Sequence, residues 1–156
     1  MINQCKKQNN KTKILIEKLG YGNCDLVIAV PQSWNDINNM SDLVAYSNTN
    51  KLRIATKYPI QTQNYLSANH MKLHEIILTN GAVESAPQTG IADIIVDISS
   101  TGTTIRENDL KILDDGYILF SEATLIANPV TLSNYKDKFN SAKKLLYFIS
   151  NLLLYF

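Results

Sequence analysis

Hydrophobic residues along this chain fall into short, nearly continuous runs, and the polar stretches between them carry helical spacing. "CDLVIAV" (24–30), "LRIAT" (52–56), "LHEIILT" (73–79) and "ADIIVDI" (92–98) are rich in β-branched residues. Runs of this length without alternation predict strands covered on both faces. "MSDLVAYS" (40–47), "PIQTQNYLSANH" (59–70) and "AVESAPQ" (82–88) lie between them and read as helical, the second opened by a proline in its first turn. The resulting βαβαβαβ order predicts the α/β class: a mostly parallel sheet with helices on both faces, joined by right-handed crossovers.

The flanks are less regular. "KTKILIEKLG" (11–20) reads as the end of a helix, with Ile14, Leu15 and Leu19 on it and Gly20 as its cap. "LKILDD" and "YILFSEATLIAN" are two runs separated by Asp115 and Gly116, a pattern that predicts an antiparallel hairpin. A final helix is predicted over about 134–155. Its end, "KKLLYFISNLLLYF" (143–156), is mostly apolar but is interrupted by Ser150 and Asn151, and it falls short of the roughly 20 residues that span a bilayer. It reads as a core or interface helix, with a membrane-surface anchor as the other reading.

Composition narrows the class. The chain has 156 residues, 45% of them hydrophobic, enough for one domain with a core. Fifteen Lys and Arg against fourteen Asp and Glu leave a net charge of +1, so no global field draws the protein to nucleic acid or to an anionic membrane. Binding of an anion must therefore be local. Cys5 and Cys24 make neither a metal cluster nor a disulfide framework, and no secretory signal pattern opens the chain. Together these point to the cytoplasm. Cys24 is expected to be buried, His70 and His74 to lie on the surface, and Trp34 to pack within its loop.

In open α/β sheets, ligands bind beyond the carboxyl ends of the strands. That rule singles out "TKYP", "TNGAVE" and "DISSTGTT". In the last of these, Gly102 permits close approach of the backbone, and the hydroxyls of Thr101, Thr103 and Thr104 can donate to phosphate oxygens. If "TTIRENDL" opens a short helix, its free N–H groups add to the attraction. Asp97, at the rim, is a poor phosphate ligand but a good acceptor for sugar hydroxyls, so the segment reads as phosphate plus ribose. Small polar residues also make plain turns, and that alternative stays open on spacing alone. Glu84 lies in the first turns of a Gly-led helix, where an acid is stabilised by the dipole. Lys57 and Tyr58 sit just past a strand, where an ammonium can meet a phosphate and a phenol can stack on a base. Solvated surface residues are the simpler reading of both.

Taken in order, these segments resemble the ATP phosphoribosyltransferase family, which opens histidine biosynthesis. "GIADIIVDISSTGTTIRENDLKIL" (90–113) is similar to that family's phosphoribosyl pyrophosphate motif almost throughout. "EKLGYGNCDLVIAVP", "DLVAYSNTNKLRIATKYP", "NGAVESAPQTG" and "SEATLIAN" follow its flanking segments. The resemblance covers about residues 14 to 128. It implies one lobe of a fold like that of periplasmic binding proteins, and transfer of phosphoribosyl from phosphoribosyl pyrophosphate to N1 of ATP. By the same resemblance Thr101, Gly102, Thr103 and Thr104 hold the 5′-phosphate, Asp97 and Glu84 lie near the ribose as the catalytic pair, and Lys57 and Tyr58 face the nucleotide. Mg²⁺ is implied on the leaving diphosphate, with no protein metal ligand assigned.

Members of that family begin with a further stretch that forms most of a first domain and carries a basic segment for the diphosphate. The resemblance therefore implies a strip of the first domain at 1–23, a phosphoribosyl pyrophosphate domain at 24–124, and a return segment with the apolar helix at 125–156. Leu145, Phe148, Leu152 and Tyr155 are then expected to be exposed or to pack on another chain, a second copy or a partner subunit. Besides an enzyme, two other classes fit: a non-catalytic remnant or regulatory module that binds phosphoribosyl groups or nucleotides, and a solute-binding protein.

Overall fold

The computed structural model describes residues 12–134 and 136–153, which divide into two compact units, one of residues 24–121 and one of residues 12–23 with 122–134 and 136–153. Chain order gives β1 (Lys13–Ile16), β2 (Cys24–Pro31), α1 (Met40–Ser47), β3 (Leu52–Thr56), α2 (Pro59–Ala68), β4 (His74–Leu78) and a 3₁₀ turn (Val83–Ser85). β5 (Ile94–Ser99), α3 (Thr103–Glu107), β6 (Leu110–Ser121), β7 (Leu125–Ala127), α4 (Pro129–Asn134) and α5 (Lys136–Leu153) follow.

The larger unit is an α/β sheet of five strands in the order β4-β3-β5-β2-β6. β3 pairs parallel with β4 and β5, whereas β2 pairs antiparallel with both β5 and β6. Four strands thus run one way and β2 runs against them. The alternation of elements had implied a common direction for β2 as well. A run that is apolar on both faces is buried equally well in either orientation, so its pattern does not encode direction.

Period-two alternation sorts the core into two faces. Leu26, Ile28, Val30, Leu52, Ile54, Ile94 and Val96 form one face and pack with Met40 and Leu43 of α1 and Leu66 of α2. Val27, Ala29, Ala55 and Ile95 form the other, covered by Val83 and Ala86 around the 3₁₀ turn and by Ile105 of α3. The segment expected as a helix over 82–88 is this single 3₁₀ turn. α1 starts where its sequence says it should. Asn39 Oδ1 accepts from the Asp42 N–H at 2.9 Å and the Asp42 carboxylate accepts from the Asn39 N–H at 3.2 Å, a reciprocal capping box.

The hairpin expected around Asp115 and Gly116 is instead a bulge inside the continuous strand β6. Val27 is opposite Tyr117 while Ala29 is opposite Ile112, so extra β6 residues leave the ladder there. Their polar groups bind neighbouring segments: Asp115 Oδ1 accepts from the Met40 N–H at 2.7 Å, and the Asp115 carbonyl accepts from the Tyr65 hydroxyl at 2.9 Å. A β-carbon at Gly116 would lie 2.9 Å from Leu113 Cβ and 3.2 Å from the Ile28 carbonyl oxygen. Glycine is there for close approach of two strands, not for a reversal.

In the smaller unit, the segment expected as a helix end is strand β1. Lys13, Ile14 and Ile16 pair antiparallel with Ala127, Ile126 and Leu125 of β7. The β-branched Ile14 and Ile16 find a partner strand distant in sequence, which local helical spacing could not foresee. Phe148 on α5 is 70% exposed, and so is Tyr147; the side chains of Leu145 and Leu152, and all of Tyr155, lie outside the described residues. No helix among the described residues is long and apolar enough to cross a membrane. Trp34 packs on the core face of Leu26 and Ile28 and on Tyr46, with the two ring centroids 5.0 Å apart. Cys24 is only half-buried, because it heads β2 rather than lying within it, and its Sγ is 3.3 Å from Ser121 Oγ. His70 is exposed, whereas His74 is half-buried at the start of β4, with Nε2 3.2 Å from Gln63 Oε1.

Candidate functional site

Three connections at the carboxyl ends of β3, β4 and β5 carry the residues singled out by sequence. The first is the turn after β3. Thr56 is fully buried, and its Oγ1 accepts from the Tyr58 N–H at 2.9 Å, while Thr62 Oγ1 donates to the Tyr58 carbonyl at 2.8 Å. These hydroxyls fix the Lys57–Tyr58 peptide at the mouth of α2, where Pro59 supplies the first helical residue without an N–H to satisfy.

Asp97 lies on β5 opposite Val27 and, by strand parity, on the face of Val27, Ala29 and Ile95. Its Oδ1 accepts from the Ile98 N–H at 2.9 Å. Burial raises its pKa above the usual aspartate range; that hydrogen bond and the Lys57 ammonium pull it back, and the Glu84 carboxylate pushes it up again. Lys57, Glu84 and Asp97 therefore share one electrostatic neighbourhood although they come from three different connections. Tyr58 belongs to it as well: burial raises the phenol's pKa, with Asp97 and then Cys24 adding to the effect, so the ring is a neutral donor. Glu84 is reached through Ala82, whose φ of +42° is left-handed and sets the direction of the 3₁₀ turn.

The third connection is the hydroxyl loop. Gly102 has φ +71°, and its N–H donates to Ser99 Oγ at 3.0 Å, which closes the loop onto the end of β5. Thr101 Oγ1 and Thr103 Oγ1 are 2.9 Å apart, and the side chains of Thr101, Thr103 and Thr104 line an exposed rim at the start of α3. β5 itself links this loop to Asp97: Asp97 and Ser99 are alternate residues of one strand, on one face and about 7 Å apart. Among the described residues, no three carboxylate, histidine or cysteine side chains gather as a metal cluster.

Sequence reasoning missed two contributors. The Ser99 hydroxyl anchors Gly102, and Arg106 Nη2 donates to Thr103 Oγ1 at 3.3 Å. Helical spacing of three between Thr103 and Arg106 was the available signal for the second.

A site of this kind, with loop N–H groups and hydroxyls at one strand end and paired carboxylates beside it, suits a phosphorylated sugar. The sequence profile of the ATP phosphoribosyltransferase family (HisG) matches residues 2–149. The chain belongs to the ATP phosphoribosyltransferase family. Curated ATP phosphoribosyltransferases from Chelativorans sp. and Sinorhizobium medicae are 47% and 49% identical to it, each alignment covering 70% of this chain and 50% of the relative. The chain thus spans about half the length of the curated relatives it matches. Among solved structures, the ATP phosphoribosyl transferase (HisG:HisZ) complex from Thermotoga maritima superposes with a TM-score of 0.63 at 29% identity, covering 89% of this chain and 63% of that one. A periplasmic binding protein from Brucella ovis matches with a TM-score of 0.57 at 15% identity, covering 81% of this chain and 40% of that one; it shows the shared α/β fold alone.

Proposed function

We propose that this chain contributes the phosphoribosyl pyrophosphate half of an ATP phosphoribosyltransferase site, acting in the cytoplasm in the first step of histidine biosynthesis. The observation that carries the reading is the convergence of Lys57, Glu84 and Asp97 beside the Gly102 hydroxyl loop in a chain of this family. In this reading Thr101, Gly102, Thr103 and Thr104 form the cradle of the 5′-phosphate: the Thr101 and Thr104 hydroxyls donate to it, Gly102 permits its close approach, and Thr103 shapes the loop from within. Asp97 and Glu84 accept from the ribose hydroxyls. As N1 of ATP attacks C1′ and diphosphate departs, positive charge develops on the ribose ring, and carboxylates already fixed beside it stabilise that charge without reorganising. Tyr58 and Lys57 face the nucleotide, the ring for stacking and the ammonium for a phosphate. No covalent intermediate with the protein is needed, because alignment of the two substrates supplies most of the acceleration.

Mg²⁺ fits this donor set as an ion carried on the diphosphate. Asp97 and Glu84 are the carboxylates that would help to hold it, together with substrate oxygens and water. Bound there, it would neutralise the leaving diphosphate. A second copy or a partner subunit would add contacts to the diphosphate and ATP; the Thermotoga relative is itself a HisG:HisZ complex.

Titration of the purified chain with phosphoribosyl pyrophosphate and Mg²⁺, followed by an assay of product with ATP, tests the reading. Saturable binding abolished by the double substitution Thr101→Ala and Thr104→Ala is expected. Binding without turnover, in the chain alone and with candidate partners, would identify a phosphoribosyl-binding module instead. If wild-type binding is unaltered by the two substitutions, the phosphate loop is wrongly assigned.

A further inference from the structure

The hydroxyl loop holds a cation to which the phosphoribosyl reading gives no role. Arg106 belongs to the last turn of α3, but helical side chains lean toward the helix N-terminus, and its guanidinium folds back over the first turn. Nη1 lies 2.8 Å from where a β-carbon on Gly102 would be, and Nη2 donates to Thr103 Oγ1 at 3.3 Å. A cation beside the free N–H groups of a helix start is electrostatically disfavoured. Nor does a carboxylate compensate it: among the described residues, the ion pairs are Lys51–Glu75 and Arg53–Asp93.

The hydroxyls give this arrangement a direction. Each threonine hydroxyl has one hydrogen and two lone pairs. Thr103 Oγ1 accepts from Arg106, and the nearby positive charge turns its hydrogen away, toward Thr101 Oγ1 at 2.9 Å. Thr101 Oγ1 also accepts from the Thr103 N–H at 3.4 Å. With both its lone pairs occupied, Thr101 has its own hydrogen left to donate, and the residue is exposed. Successive hydrogen bonds polarise one another, so that hydrogen is a stronger donor than an isolated hydroxyl would offer.

We infer that Arg106 is a positioning residue of this site: it orients the Thr103 hydroxyl so that the Thr101 hydroxyl donates outward to an oxygen of the substrate's 5′-phosphate. The inference rests on the phosphoribosyl reading and adds to it a residue acting through two others. Its signature is coupling. Once Thr103 has lost its hydroxyl, removing Arg106 should cost nothing further.

The test is calorimetric titration of phosphoribosyl pyrophosphate with Mg²⁺ into the 156-residue chain, its Arg106→Gln and Thr103→Val variants, and the double variant. Thermal melts serve as the folding control. About tenfold weaker binding is expected for each single variant, the loss of one charge-assisted link, and the double variant should bind as Thr103→Val does. Arg106→Lys, which keeps the charge, should recover part of the loss. In ³¹P spectra of the bound ligand, Arg106→Gln should move the 5′-phosphate resonance and leave the diphosphate resonances in place. Wild-type affinity in Arg106→Gln, or additive losses in the double variant, would overturn this inference and leave the phosphoribosyl reading intact. No binding by the wild-type chain would remove both.

Discussion

The two faces of the central sheet are built from different residues. One packs Leu26, Ile28, Leu52, Ile54 and Ile94 against α1 and α2. The other is thin: four of its nine buried residues are alanines (Ala29, Ala55, Ala86 and Ala92), and its cover is a 3₁₀ turn and the five-residue helix α3. Large side chains under long helices make a dry, closely packed layer that has no room for a ligand. Small side chains let short connections lie close to the sheet, and those connections bear Glu84 and the threonine loop. Asp97 points to the same face by strand parity. The bulky face holds the fold and the thin face holds most of the proposed chemistry, while Tyr58 packs on the bulky side.

Truncation on the first face should have the largest effect. Leu43 is fully buried, so Leu43→Ala is expected to cost about 2–5 kcal/mol by chemical denaturation. A cost below 1 kcal/mol would mean that α1 is not packed as described. The thin face should respond to the opposite change. Ala55 is also fully buried, and Ala55→Leu should cost about 1–3 kcal/mol through overpacking. It should also weaken phosphoribosyl pyrophosphate binding by displacing the 3₁₀ turn, whereas Leu43→Ala should leave binding by the folded fraction unchanged. Equal effects on binding would erase the distinction between the faces.

Gly102→Ala comes next. A φ of +71° costs a residue with a β-carbon about 1–2 kcal/mol, and the new methyl would meet the Arg106 guanidinium. Loss of binding with only this modest loss of stability is the expected pattern.

The smallest effects separate two aspartates at opposite ends of β5. Asp93, just before the strand, accepts from Arg53 Nη2 at 2.7 Å, Nε at 3.2 Å and the Arg53 N–H at 2.8 Å, and the Arg53 hydrogen bonds hold its pKa below the usual range. Its contribution to stability is present above the ordinary aspartate range and is lost as pH falls through its lowered native value. Asp97 has the opposite sign. Burial raises its pKa, so between the ordinary value and the raised one the native state keeps a proton that the unfolded chain has given up, and stability falls as pH rises through that window. Melting curves against pH should therefore show Asp97→Asn more stable than wild type at neutral pH, with the gain vanishing in acid. Asp93→Asn should be less stable at neutral pH, with the deficit vanishing in acid. Matching signs would place both carboxylates in the same environment.

Much of this protein was legible in its sequence. α1 coincides with "MSDLVAYS", α2 is announced by Pro59 at its start, and β3 coincides with "LRIAT" because a β-branched run between polar turns has few alternatives. The hydroxyl loop was legible too, since Gly102 needs a conformation that few other residues take. What the sequence could not decide was pairing across long separations. The direction of β2 depends on β5 and β6, the strand character of Lys13–Ile16 depends on β7 more than a hundred residues away, and Asp115–Gly116 makes a bulge because α1 and Tyr65 bind there. The site divides the same way. Residue types and strand ends were fixed locally by propensity, turn chemistry and hydrophobic period. That Lys57 and Glu84 act on Asp97, and that the Arg106 guanidinium lies over Gly102, followed only from tertiary structure, because proximity between connections is set by packing and not by any pattern along the chain.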